Sequence, residues 1–357
     1  MPLQQLIRRQ IEAAGGWLSF DRFMASALYA PQLGYYSAGS PKLGQMPQGG
    51  SDFVTAPELS PWFGKTLGNS VREALHRTKT QHIWEFGAGT GALALQMLQH
   101  LGDEVKSYTI VEVSAHLKAK QKQVLSAYLH KVTWADEWPS AIEGVVVGNE
   151  VLDAMPVRLL YRLKGVWHER GVVWAPDQQQ LVWGDQITDA RAPFDIAGDH
   201  DYLTEIHPQV QAFIFSLAER LQKGAAFLID YGFPEREYYH EQRSMGTLMC
   251  HQAHQSDTNP LVDVGHKDIT AHVNFTDIAL SAQNAGMNVL GYTSQAHFLI
   301  NSGLLEPLVE ASIAERAMAQ KLIAEHEMGE LFKVIALGVG EPWEPMGFDR
   351  GDRSHSL

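Results

Sequence analysis

Apolar residues change their spacing several times along this chain, and each change marks an element. Near the start, Leu3, Leu6, Ile7 and Ile11 recur at the interval of one helix face. A second helix is predicted from Ser19 as its N-cap, with Phe20, Phe23, Met24 and Ala27 as its apolar stripe. Residues 34–50 break the pattern. Five glycines and two prolines there describe a loop, and a helix rich in apolar positions then runs through Val71. From His82 onward, short apolar runs at 83–86, 108–112, 132–134, 144–147 and 225–230 predict buried strands. Helical spacing separates them, as in Ala94, Met97, Leu98 and Leu101. Such alternation predicts an α/β fold with a doubly wound, mostly parallel sheet, closed by a hairpin-like edge at 287–292 and 331–337.

Two stretches interrupt this plan. Residues 157–184 read as an antiparallel meander with turns at Lys164-Gly165 and Pro176-Asp177, and residues 232–275 are polar and rich in histidine. Both follow strands at their carboxyl ends, where ligands bind in open α/β sheets, so both are expected to wall a substrate. The expected division is a helical cap with an active-site loop over 1–80. A nucleoside-binding core follows over 81–357, carrying insertions at about 157–205 and 232–275.

Glu85-Phe86-Gly87-Ala88-Gly89-Thr90-Gly91 follows the first core strand and opens a helix. Glycines at that junction let the backbone approach a bound nucleoside. Gly87, Gly89 and Ala92 formally satisfy a dinucleotide fingerprint, whose purpose is to seat a pyrophosphate on a helix N-terminus. Glu85 argues against that ligand. A carboxylate two residues before the first glycine repels a pyrophosphate and suits the sulfonium and ammonium of S-adenosylmethionine. Glu112 lies 21 residues after Gly91 at a strand end, the place of an acid that accepts from ribose hydroxyls. Both cofactors own a ribose, so Glu112 confirms a nucleoside without choosing between them.

Asn149-Glu150-Val151-Leu152-Asp153-Ala154-Met155-Pro156 follows the fourth strand. Glu150 and Asp153 could clamp a guanidinium and aim one nitrogen at a methyl group. The alternative is that Asn149 and Asp153 only cap a following helix. Asp136 could accept from the adenine amine or be a solvated loop acid, and Asp230 could face the pocket.

Composition narrows the partners. A net charge of −13 and no Lys/Arg block disfavour nucleic acid. The single cysteine, Cys250, excludes an internal disulfide. His251 and His254 lack a carboxylate to complete a metal pattern, so no metal is expected. No apolar run is long enough for a membrane span, and the N-terminus lacks a signal-like apolar core. A soluble, reducing compartment is the expectation.

Several segments, in order along nearly the whole chain, resemble the MidA-like methyltransferases, the family that includes the mitochondrial complex I assembly protein arginine methyltransferase. They include Gly34-Tyr35-Tyr36, Asp52 to Glu58, Glu85 to Gly91, Val111 to Ser114, Asn149 to Val157, Asp230-Tyr231-Gly232, Asp268 to Phe275, His297-Phe298-Leu299 and Met328-Gly329-Glu330. The resemblance implies a Rossmann-like class I S-adenosylmethionine-dependent fold with an N-terminal cap. It also implies N-methylation of an arginine in a protein substrate, a respiratory complex I subunit. Carried onto this sequence, Glu85, Gly87, Gly89, Gly91, Glu112, Val113, Asp136, Asn149 and Thr55 are the expected cofactor residues. Glu150, Asp153 and Glu58 are expected on the catalytic side, under a loop at 34–58. Two positions depart from the family pattern: Asn274, where an acid is expected, and Ala56, where mitochondrial members have serine. The rival readings are a non-catalytic assembly factor that keeps the pocket and a small-molecule N- or O-methyltransferase.

Overall fold

A computed structural model of the chain describes residues 2–38, 55–252 and 255–357. Helices α1 (Pro2–Ala13) and α2 (Phe20–Tyr29) bury Leu3, Ile7 and Ile11 and then Phe20, Phe23, Met24 and Ala27, the residues of the two sequence stripes. Two extended residues, β1 (Leu18–Ser19), lie between them, and Ser19 precedes α2 without a side-chain capping bond. A short helix, α3 (Ala56–Leu59), leads into α4 (Pro61–Thr78). Ser60 caps α4 by accepting the Trp62 N–H at 3.3 Å, with Pro61 opening the helix.

The central sheet then begins. β2 (His82–Phe86), α5 (Ala92–Leu101), β3 (Ser107–Val111), α6 (Ala115–Val124), β4 (Val132–Ala135) and β5 (Ile142–Asn149) alternate as the sequence spacing requires. An inserted meander follows: β6 (Arg158–Leu163), β7 (Val166–Ala175), β8 (Gln180–Ile187) and β9 (Tyr202–Ile206). The chain returns through α7 (Pro208–Arg220) to the long strand β10 (Leu221–Phe233). A second insertion then holds α8 (Glu235–Tyr238), β11 (Met249–Gln252), β12 (Gln255–Asp257), β13 (Asp268–Thr270) and β14 (Val273–Asn274). After α9 (Phe275–Asn284) and β15 (Asn288–Ser294), helices α10 (Gln295–Asn301), α11 (Leu305–Leu308) and α12 (Ile313–Ile323) precede the last strand, β16 (Phe332–Gly338).

Strand order in the central sheet is β15-β16-β10-β5-β2-β3-β4, with β14 beside the end of β10. The strands from β10 to β4 are parallel, and β16 runs antiparallel between β10 and β15. Alternation along the strands feeds two cores. Val145, Val147, Ala225, Phe227 and Ile229 face α4 and α5, whereas Val146, Ala226 and Leu228 face α7 and α9. This two-sided burial explains why the strands read as unbroken apolar runs.

Helix α4 packs Phe63, Leu67 and Val71 into the same core as the sheet. A different cluster unites α1 and α2 with both insertions, through Phe20, Phe23, Leu159, Val172, Cys250 and Ile269. There β1 pairs with β7 and β9 pairs with β6, widening the meander to five strands. Lys164 and Gly165 both adopt positive φ (49° and 78°), which a two-residue hairpin turn requires. Asn274 N-caps α9, accepting from Thr276 and Asp277 N–H groups at 3.1 and 3.3 Å, a task asparagine performs as well as aspartate.

Candidate active site

Sheet order reverses between β2 and β5, so their carboxyl ends lie side by side, with Phe86 opposite Gly148. That crevice is where an open α/β sheet binds its ligand. A cavity of about 630 Å³ occupies it, and its wall includes Glu85, Gly87, Gly89, Glu112, Val113, Asn149, Thr55, Glu58, Glu150 and Asp153.

The glycine turn is shaped by two constraints. Gly87 has φ 67°, and a Cβ there would stand 2.6 Å from Val151 Cγ2. Gly89 has φ 51° and no atom within 4 Å of where its Cβ would be, so its backbone borders open space. Gly91, expected on the wall, stands off it. With φ 89° it begins α5, and a Cβ would meet Gln121 at 3.4 Å.

Glu85 is 2% exposed and accepts the Tyr108 hydroxyl at 2.8 Å, and burial pushes its carboxyl up to about 8. Glu112 accepts the Ser114 N–H at 2.8 Å and Gln121 Nε2 at 3.3 Å, and burial raises it as well. Gln121 also donates to the Gly89 carbonyl at 2.9 Å and accepts from Trp134 Nε1 at 2.8 Å. It thereby ties the glycine turn to the strand-end acid, a role sequence reasoning missed. Asp136 has an exposed carboxylate that pairs with Lys118, and it is not among the residues of the cavity wall.

On the other side of the crevice, Glu150 has φ 53°, a left-handed conformation uncommon for a non-glycine residue and typical of functional sites. Its amide donates to the Ile229 carbonyl at 2.9 Å. Its carboxylate accepts Asn149 Nδ2 at 2.9 Å, the Tyr231 hydroxyl at 3.3 Å and the Ala56 amide, a contact indifferent to an alanine or serine side chain. Burial, then the charge of Asp230, pushes Glu150 up to about 8. Asp153, 5% exposed, is pushed well up by burial and by the charges of Asp230, Asp268 and Glu150.

Asp230 does not face the cavity. It is fully buried, and its Oδ2 accepts the N–H groups of Val151, Leu152 and Asp153 at 3.2, 2.8 and 3.2 Å. It therefore sets the turn that presents Glu150 and Asp153. The capping alternative for Asn149 and Asp153 falls away, because a turn and then β6 follow them in place of a helix.

Glu58 accepts the Thr90 hydroxyl, and Gln96 joins the Pro57 carbonyl (2.7 Å) to the Gly64 amide (2.9 Å), fastening α3 to α5. Of the expected active-site loop, Tyr36, Ser37, Thr55, Pro57 and Glu58 line the cavity, and residues 39–54 lie outside the described residues. His251 lines it too, and His254 lies outside the described residues.

The donor set separates the two cofactors. No lysine or arginine stands among the described residues of the wall, so a pyrophosphate would meet carboxylates and no cation. Ribose hydroxyls, an ammonium and a sulfonium fit that wall. A family model of S-adenosyl-L-methionine-dependent methyltransferases matches residues 66–293. The chain belongs to that family. This methyltransferase has a Rossmann-like class I fold, and its cofactor is S-adenosylmethionine. It superposes with a TM-score of 0.95 on a Burkholderia thailandensis protein crystallised with S-adenosyl-homocysteine, at 46% identity and covering 100% of this chain and 96% of that one. A native B. thailandensis crystal structure gives 0.91 at 44% identity with the same coverage. Among curated relatives, the mitochondrial protein arginine methyltransferase NDUFAF7 of Xenopus laevis is 28% identical over 371 residues, 90% of this chain and 81% of its own length. The Mus musculus protein of that name is 27% identical over 382 residues, 94% and 84% of the two chains. Among the described residues, no helix is long and apolar enough to cross a membrane.

Proposed function

We propose that this methyltransferase N-methylates an arginine side chain of a protein. The observation that carries the reading is the wall beyond the glycine turn: buried Asp153 and half-buried Glu150 stand on it with tyrosines, and no lysine or arginine stands among the described residues of that wall. Such a wall favours a cation over a phenolate, a carboxylate or a phosphate. Two carboxylates suit the planar, five-donor guanidinium better than a point-like ammonium. The name of the mitochondrial relatives supports the same acceptor.

When bound, S-adenosylmethionine supplies an electrophilic methyl group. In this proposal Glu85, Gly87, Gly89, Glu112, Val113, Asn149 and Thr55 hold it. Asp153 orients the guanidinium, which places the attacking nitrogen. As that nitrogen gains a methyl group it must shed a proton; the cationic acceptor favours the ionised form of Glu150 beside it, and that carboxylate takes the proton. Asp230 keeps both acids in register through the amides of residues 151–153. Glu58 acts as a strut between α3 and the glycine turn through Thr90. The resemblance in sequence nominates a respiratory complex I subunit as the acceptor. A reducing compartment, the bacterial cytoplasm, belongs to the same proposal, in keeping with a single buried, free cysteine.

Mass spectrometry of complex I subunits from a strain lacking the gene tests this. A methylarginine should vanish, return with the wild-type gene and stay absent with Glu150→Gln. An unchanged methylation pattern in the deletion strain would overturn the substrate.

A further inference from the structure

The second insertion brings another carboxylate to the cavity. Strand β13 pairs antiparallel with β11, and His251 stands opposite Asp268. Alternation along β13 sends Ile269 into the apolar cluster with Cys250 and leaves Asp268 and Thr270 on the cavity wall. Asp268 is 1% exposed and accepts the Tyr36 hydroxyl at 2.9 Å. Tyr36 stacks on Tyr29, with ring centroids 5.6 Å apart and planes 20° apart, and Tyr29 donates to the Ala154 carbonyl at 2.9 Å. Both tyrosines line the cavity. Backbone joins the same elements, since the Ala271 amide donates to the Asp153 carbonyl at 3.0 Å. Asp153 and Asp268 thus reach one cavity from two different strand ends. Asn149, also on the wall, is 8% exposed, and its Oδ1 has no hydrogen-bond partner among the described residues.

We propose that Asp268 is an acceptor-binding residue that works with Asp153 as a two-sided clamp on a guanidinium, beside the Tyr29–Tyr36 stack. This rests on the cationic-acceptor reading above and adds to it the residue that makes the site selective. The reasoning is geometric. A guanidinium presents donors in one plane along more than one edge, so carboxylates on separate elements engage it where a single ammonium would satisfy one. Aromatic rings suit the flat face of the same cation. Tyr36 fixes Asp268, so the clamp closes only when the N-terminal helices and the second insertion are packed together.

Calorimetry on the full chain saturated with S-adenosyl-homocysteine tests this, with n-butylguanidinium and its uncharged isostere n-butylurea as probes. Wild type should bind n-butylguanidinium at least about tenfold tighter than n-butylurea. Asp268→Asn keeps an oxygen for Tyr36 and removes the charge. It should lose about tenfold or more for n-butylguanidinium while S-adenosyl-homocysteine affinity stays within about twofold. Tyr36→Phe keeps the charge and frees the carboxylate, and should lose about threefold. Unchanged n-butylguanidinium binding in both variants overturns the clamp and leaves the cationic acceptor standing. Equal binding of the two probes by the wild type, or binding of neither, sinks the cationic acceptor and the clamp together.

Discussion

Between Glu85 and Asn149 one continuous stretch supplies most of the proposed cofactor wall, whereas the proposed acceptor wall draws on Tyr29, Tyr36, Glu150, Asp153, Tyr231 and Asp268. Tyr36 and Asp268 are hydrogen-bonded across 232 residues of sequence. The cofactor side needs only a strand, a tight turn and a strand-end acid, all local features. The acceptor side exists only once the cap and both insertions have packed into one cluster. In the proposed reading the nucleoside site is a property of the sheet, and acceptor choice is a property of what has been added to it.

Four substitutions and conditions sharpen or break that contrast. The largest effect is expected from Gly87→Val. It forces a β-branched residue into φ 67° and against Val151, joining damage on both sides of the crevice. Cofactor affinity should fall about 1,000-fold by calorimetry, from left-handed strain and overpacking together. A variant that binds normally would remove the glycine turn from the site. Next comes Asp230→Asn, which weakens the acceptor of three turn amides and should cost about 2–4 kcal/mol in denaturant unfolding. Loss of methyl transfer beyond what cofactor affinity explains would mark it as a positioning residue. Wild-type stability would place the turn's order elsewhere.

A smaller effect is tied to pH. Glu85 and Glu150 have carboxyls raised from 4.5 to about 8, so the ligand-free folded protein holds protons that the unfolded chain has released. Stability should be fullest below about pH 4.5 from these groups and fall as pH rises towards 8. Melting curves of wild type and Glu150→Gln across this window should diverge, with the variant's slope shallower. Identical slopes would contradict the raised carboxyl of Glu150. The smallest effect is expected from Asp136→Ala, because an exposed ion pair contributes about 0–1 kcal/mol and the residue is off the wall. Cofactor affinity should stay within about twofold, and a larger loss would return Asp136 to the adenine side.

What was legible follows the same division. The strands at 83–86, 132–134 and 225–230, the helix face of Ala94 and Met97, and the turn at Lys164-Gly165 all stand where spacing and turn chemistry put them. Glu85 spoke for the cofactor because its position before the glycines is a local fact. The partner of Asp136 was not legible, because a loop acid's direction depends on a competitor, here Lys118 from α6. The role of Asp230 is invisible until β10 is known to lie beside β5. β1 is two residues long, too short to carry a period, yet it ties the cap to the meander. Asp268 sits in a three-residue strand inside a polar stretch, with no pattern to set it apart before pairing with β11.

The division between the two walls is tested most directly in Glu150→Gln combined with Asp153→Asn, measured for cofactor affinity by calorimetry and for transfer of labelled methyl into methylarginine of an extract from the deletion strain. Cofactor affinity within about threefold of wild type, with transfer reduced about a hundredfold or more, is the expected result. Transfer at the wild-type rate, or loss of cofactor binding in parallel with transfer, would contradict it.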